Sequence, residues 1–380
     1  MTQLASQKKP WENPTVVFIF LFILGIWISF FTPFAPAVDL EAYWMTGYNL
    51  AHGNPLYAVG DRPGISIQKY SPWMSILFLP IGFFKFETSK WIWTFVQIAS
   101  YAVIFKWCFT QKYKPWVIAL TFICFWGNFA IASVDGYVSP LFLALLLLCV
   151  ERLKTKKDTI ATVLITFLYS ARIFQVISLI GLPKKSINKK NILVTAGVFI
   201  ALTLALTGYS KSGIPFMIIK EWIDNANTTP FFATEFRNYG FPAAELRILG
   251  ITPNDFKLSL ILSAVMTLPA LALYPLYTKR FSDLERFMTA LGLSLMVSPM
   301  TWKSTYVLSF PLALMAFDSA VRSKNRRIII LALASIVLTG FMTSTVFGSF
   351  GAFFEKISGK SIGVLGSIIA IYQLRKRTTA

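Results

Sequence analysis

From Thr15 to Phe31 the chain runs seventeen residues without a charged side chain, and comparable apolar stretches recur along its whole length. A helix needs about 20 apolar residues to cross the hydrocarbon layer of a bilayer, fewer if it packs inside a bundle. Clear candidates are 15–31, 89–109, 115–133, 137–150, 191–209, 255–277, 284–301, 304–320, 327–346 and 360–374. Only 14% of the 380 residues are charged, against about 25% in an ordinary soluble domain. So few charges cannot solvate the surface of a globule of this size. A soluble enzyme, a disordered chain and a disulfide scaffold are excluded, leaving an all-α polytopic membrane protein.

The formal charge of +19 invites a nucleic-acid partner, but its distribution argues otherwise. Two segments decide the threading: 70–84 is short and carries Pro72 and Pro80, and 159–182 is overlong with Arg172 near its middle. If 70–84 dips into one leaflet and returns, and 159–182 is a hairpin turning near Arg172, every dense basic loop falls on one side. That side takes 23 of the 36 basic and 6 of the 17 acidic residues, a net of +17. Lys and Arg concentrate in cytoplasmic loops, so the charge is topological and no nucleic-acid partner is expected. The threading predicts about twelve crossings, an uncleaved first span, both termini cytoplasmic, and outer loops 33–89 and 210–254 covering one membrane-embedded domain over residues 1–380.

Cys108, Cys124 and Cys149 lie inside apolar runs without metal-ligand spacing and read as small packing residues. A single histidine, His52, argues against a His-based zinc or di-iron site. In the first outer loop, Leu40, Tyr43, Trp44, Gly47, Tyr48 and Ala51 recur at helical spacing, predicting a helix in the headgroup layer that ends at Gly53-Asn54-Pro55. Asp39 opens it. It is either a helix N-cap or a general base that takes a proton from a sugar hydroxyl. Glu41, two residues on, points elsewhere on a helix, which argues against a two-carboxylate glycosidase.

Five patterns in order then carry a resemblance. They are Asp39-Leu40-x-x-Tyr43 with Gly53-x-Pro55-Leu56-Tyr57 and Tyr70-Ser71-Pro72; Gly136-Tyr137-Val138-Ser139 opening a Leu-rich run; Arg172; Asn238 to Arg247; and Ser298-Pro299-Met300-Thr301-Trp302. Together they resemble the GT-C glycosyltransferases, most closely glycosyltransferase family 87, the polyprenol-phosphate-mannose-dependent mannosyltransferases. Lys303, Ser304 and Thr305 stand where that family commonly has histidines, and Tyr137 and Ser139 where it has Gln and Asn.

The resemblance implies a GT-C-like bundle in the plasma membrane with an extracytoplasmic active site. It also implies transfer of a hexose, mannose by the pattern, from a polyprenyl-phosphate donor to a glycolipid or glycan acceptor. No cofactor is expected, and a divalent metal ion stays open. Asp39 would be the base in a single, inverting displacement. Arg172, Arg247 and Lys303 would hold the leaving phosphate. Tyr43, His52, Tyr57, Tyr70, Asp135, Asn238 and Trp302 would contact substrate. A transporter or flippase for lipid-linked sugars predicts inverted repeats, and none is visible. A ligase joining whole lipid-linked glycans would use similar loops.

Overall fold

The computed structural model describes residues 9–57, 70–155, 158–170, 173–226, 234–235, 238–252 and 257–377. Among these the chain is helical throughout, with one isolated antiparallel bridge between Asn238 and Trp302. Helix α1 (Pro14–Ser29) starts where the Asn13 side chain accepts from the amides of Thr15 and Val16, with Pro14 in the first turn. Such caps satisfy amides that have no partner within the helix. It packs on α4 (Phe86–Thr110) and α5 (Pro115–Val134).

Between α1 and α4 lie α2 (Val38–His52) and the short α3 (Ser75–Gly82), packed tightly on each other. Glycine makes that crossing possible: a Cβ on Gly47 would sit 2.1 Å from the Phe78 carbonyl oxygen, and one on Gly82 would sit 2.1 Å from the Gly47 carbonyl carbon. The expected apolar stripe of α2 is therefore an internal packing face, with Leu40, Tyr43, Trp44 and Gly47 buried. Asp39 is not the N-cap. Ala37 holds that position in the left-handed region, and Asp39 sits two residues on, in the first turn, where a carboxylate favours the helix dipole. Eight residues span only about 12 Å, so α3 cannot cross a bilayer, in keeping with the expected dip.

Helix α6 (Ser139–Thr155) returns beside α4. The turn of the expected 159–182 hairpin, near Arg172, lies outside the described residues, but its two arms are described. The first is α7 (Thr159–Ser170), and the second is a 3-10 helix, Ile173–Gly181, lying on α12 (Asp283–Val297). The chain has come back by Lys185, whose Nζ donates to the Lys154 carbonyl at 3.0 Å. Beyond it come α8 (Lys189–Ala205), α9 (Met217–Ala226), α10 (Phe241–Leu249) and α11 (Lys257–Tyr277). After α12, a 3-10 stretch Lys303–Ser309 leads into α13 (Phe310–Ser323). The last three helices are α14 (Arg326–Ile336), running into a π-turn Val337–Phe341, then α15 (Ser344–Lys356) and α16 (Gly359–Arg377).

Basic loops gather at one end of the bundle. There Arg375 pairs with the buried Glu285 at 2.6 Å, Lys154 with Glu151 at 2.6 Å, and Arg322 with Asp318. By length and composition, five helices among the described residues can cross a membrane, or six if Arg326–Phe341 and Ser344–Lys356, bent by 111°, count as one span. That is short of the expected twelve. Helices α6, α7, α8 and α12 have 17, 12, 17 and 15 residues, and the bend turns the expected 327–346 span aside. The protein is an all-helical polytopic membrane protein. Its three cysteines are free and buried.

Candidate active site

The end of the bundle opposite the basic loops collects most of the residues singled out above. α5 stops at Asp135, and Gly136 turns the chain at φ +70° toward α6. A Cβ on Gly136 would lie 2.4 Å from Leu40 Cβ, and the Leu40 amide donates to the Asp135 carbonyl at 3.2 Å. The start of α2 is thereby fastened to the Asp135–Gly136 turn, which brings the half-buried Asp39 and Asp135 to one corner.

Beneath that corner sits an aromatic layer. Tyr43 stacks on Phe78 at 4.6 Å, and its hydroxyl lies 3.3 Å from that of Tyr70. Tyr57 donates from its hydroxyl to the Tyr70 carbonyl at 3.0 Å. Three of the residues expected to contact substrate thus form one buried group. Tyr137 joins it at 6.4 Å from the Tyr43 ring and reaches toward Thr305 Oγ1 at 3.4 Å.

Through Thr305 this corner meets a second group. The buried Asn238 donates to the Pro299 carbonyl at 2.6 Å and accepts from the Thr301 amide at 2.9 Å. The Tyr239 amide donates to the Thr301 carbonyl at 2.8 Å. Asn238 therefore staples the second loop to the Ser298–Trp302 motif and presents Trp302 half-buried. The next residue, Lys303, lays its Nζ against α5, 3.4 Å from where a Gly127 Cβ would be. Among the described residues its ammonium has no hydrogen-bond or ion-pair partner, which is costly for a cation in a membrane bundle.

Arg247 is differently occupied. Its Nε–H donates to the Lys356 carbonyl, one terminal nitrogen to the carbonyls of Glu235 and Asn238, and the other to the Glu355 carbonyl and Ser358 Oγ. All five guanidinium N–H groups are committed within the protein, so Arg247 clamps the second loop to α15 and has none left for phosphate. Burial brings it down to about 10, still charged at neutral pH. His52 stands apart. Exposed at the far end of α2, it is about 20 Å from Asp39 along the axis, with its ring stacked on Tyr48 at 4.0 Å and its Nδ1 2.8 Å from the Tyr48 carbonyl oxygen. Arg172 lies outside the described residues.

Two charged residues escaped the sequence reading. Glu355 is buried and accepts from the Tyr239 hydroxyl at 3.1 Å; burial first, then this carboxylate, push the Tyr239 phenol well above its usual range. A cavity of about 390 Å³ opens beside Glu355, lined also by Arg247, Ser344, Ala352 and Lys356. Lys360 is 1% exposed, although in the sequence it looks like the polar flank of an apolar run.

A half-buried acid thus sits at one end of a membrane bundle with an aromatic layer beneath it. Residues 69–299 match the model of glycosyltransferase family 87, and the chain belongs to that family of membrane glycosyltransferases. The matched stretch holds Tyr70, Asp135, Arg172, Asn238 and Arg247, while Asp39 precedes it and Trp302 and Lys303 follow it. No curated protein and no solved structure matches the chain.

Proposed function

We propose that this glycosyltransferase moves one hexose, mannose by its motif pattern, from a polyprenyl phosphate to a hydroxyl of a glycolipid or glycan on the extracytoplasmic face of the plasma membrane. Asp39 takes the proton of the acceptor hydroxyl as its oxygen attacks the anomeric carbon. The bond from that carbon to the phosphate oxygen breaks, and its electron pair stays on the phosphate, so no general acid is needed. One displacement from the opposite face inverts the anomeric centre. Lys303 neutralises the growing phosphate charge, the half-buried Trp302 stacks against sugar, and the buried Tyr43–Tyr70 layer supports the floor beneath Asp39.

The observation that carries this reading is the ammonium of Lys303, which lacks a partner among the described residues in a bundle where Arg247 and Lys360 are both satisfied. Placing a phosphate oxygen there would remove the cost of holding that charge bare. Arg247 enters as the clamp of the second loop, Asn238 as its staple, and Asp135 as the turn that fixes Asp39.

The test is to incubate the purified protein with polyprenyl-phosphate mannose and membrane lipids. Gain of one hexose mass by a lipid or glycan supports the proposal. Movement of labelled lipid between leaflets without a new glycosidic bond would support a flippase instead, and transfer of a whole glycan would support a ligase.

A further inference from the structure

Lys360 is the most deeply buried cation among the described residues, and the reaction proposed above makes no use of it. Its Nζ donates to Asn128 Oδ1 at 2.9 Å and to the Thr339 carbonyl at 2.8 Å, and lies 5.3 Å over the face of the Tyr239 ring. Asn128 also donates to the Thr339 carbonyl at 3.1 Å. Lys360 is the second residue of α16, where the helix dipole disfavours a positive charge. Burial inside a membrane bundle is a further cost. Packing alone does not call for a charged group there, since an amide could make the same two hydrogen bonds.

A second cation reaches the same part of the bundle. Lys303 Nζ lies 3.4 Å, and the Gly340 carbonyl oxygen 3.9 Å, from where a Gly127 Cβ would stand. Lys303 thus rests beside residue 127 of α5 and residue 340 of the π-turn, while Lys360 bonds their immediate neighbours, residues 128 and 339. Two lysines from different helices converge on one joint, close enough to repel each other. Gly340 makes the joint tight, for its Cβ would lie 2.3 Å from the Cys124 carbonyl oxygen. Local π-turns inside helices are frequent at functional sites. The carboxylate of Glu355 acts on both ammonium groups and is held by the Tyr239 hydroxyl.

We propose that Lys303 and Lys360 form a two-ammonium seat for a single phosphate group, with Lys303 touching the anion and Lys360 adding charge from behind without contact. The idea rests on the phosphate role of Lys303 given above and deepens it. In the transfer step the phosphodiester of the donor, with one negative charge, becomes a monoester that gains a second as its bond to the anomeric carbon breaks. A positive charge on Lys360 behind Lys303 would favour that developing charge without spending a hydrogen bond. One ammonium touching the anion with a second behind it suits one phosphate and not a diphosphate. Lys360 is thus a positioning residue of electrostatic kind.

The probes are farnesyl phosphate, farnesyl diphosphate and uncharged farnesol, titrated onto the purified full-length protein in detergent. Wild type is expected to bind farnesyl phosphate more tightly than the diphosphate. Lys360→Gln keeps amide donors for Asn128 and Thr339 but removes the charge. It should weaken farnesyl phosphate by at least about tenfold and leave farnesol unchanged, whereas Lys360→Arg should bind as wild type does. A purely structural lysine would shift all three ligands together, or none, and either result overturns the seat. Should Lys360→Gln not fold, wild-type preference for the diphosphate overturns it by itself. If Lys303→Gln also binds farnesyl phosphate like wild type, the phosphate role of Lys303 falls too; if Lys303→Gln is weakened and Lys360→Gln is not, only the seat falls.

Discussion

Alanine at Gly136 isolates the joint between the acid and the bundle. The residue sits at φ +70°, where an L side chain costs about 1–2 kcal/mol. Its new methyl would also stand 2.4 Å from Leu40 Cβ, whereas carbon atoms settle about 3.5–4.0 Å apart. Leu40 Cβ is rigidly attached to α2, so the helix start must retreat by roughly 1 Å, an overpacking cost of about 1–3 kcal/mol. Together about 2–5 kcal/mol of stability should be lost. Asp39 is the residue just before Leu40 and moves with it, and a misplacement of about 1 Å at a reacting group can cost about 100-fold in rate. Gly53→Ala is the control. Gly53 has φ +73° but no atom within 4 Å of a built Cβ, so it pays the conformational cost and keeps its turnover. The assay is hexose transfer by both variants beside denaturant unfolding in detergent. Equal stability and equal turnover in the two would refute the argument that the Gly136 turn sets Asp39.

Other substitutions separate the remaining roles. Lys303→Gln should lower turnover and weaken donor binding by about tenfold or more, measured as kcat and KM for the polyprenyl-phosphate sugar. Arg247→Ala removes five hydrogen bonds, two to second-loop carbonyls, two to α15 carbonyls and one to Ser358. Each buried acceptor left unpaired costs about 1–3 kcal/mol, so limited proteolysis should cut the second loop faster than in wild type. His52→Ala should change kcat/KM less than about threefold, since its ring is exposed at the opposite end of α2 and about 20 Å from Asp39.

The parts of this architecture legible in the sequence are those written as local patterns. The periodicity of Leu40, Tyr43, Trp44 and Gly47 gave the position of α2, and Gly53 its end. Motif order brought Asn238 and Trp302 into one argument, and they form the bridge. Partners were not legible. Spacing says that Tyr43 lies on an apolar stripe, not that the stripe faces α3 instead of headgroups. Hydropathy counts length but not direction, so a run holding both α14 and the first residues of α15 looked like one span despite its 111° bend. Arg247 looked like a phosphate ligand because a sequence records a guanidinium without the five acceptors around it. Lys360 looked like a polar flank for the same reason: α16 begins inside the bundle, beside Asn128, not at its surface.

The central claim is that Asp39 is the base of the transfer. Single-turnover transfer by Asp39→Asn in purified full-length protein tests it most directly, with donor binding followed in the same sample. General-base catalysis contributes about 10²- to 10⁴-fold, so the account predicts a loss of that size with donor affinity near wild type. Turnover within a few fold of wild type, or loss of donor binding in step with activity, would contradict it.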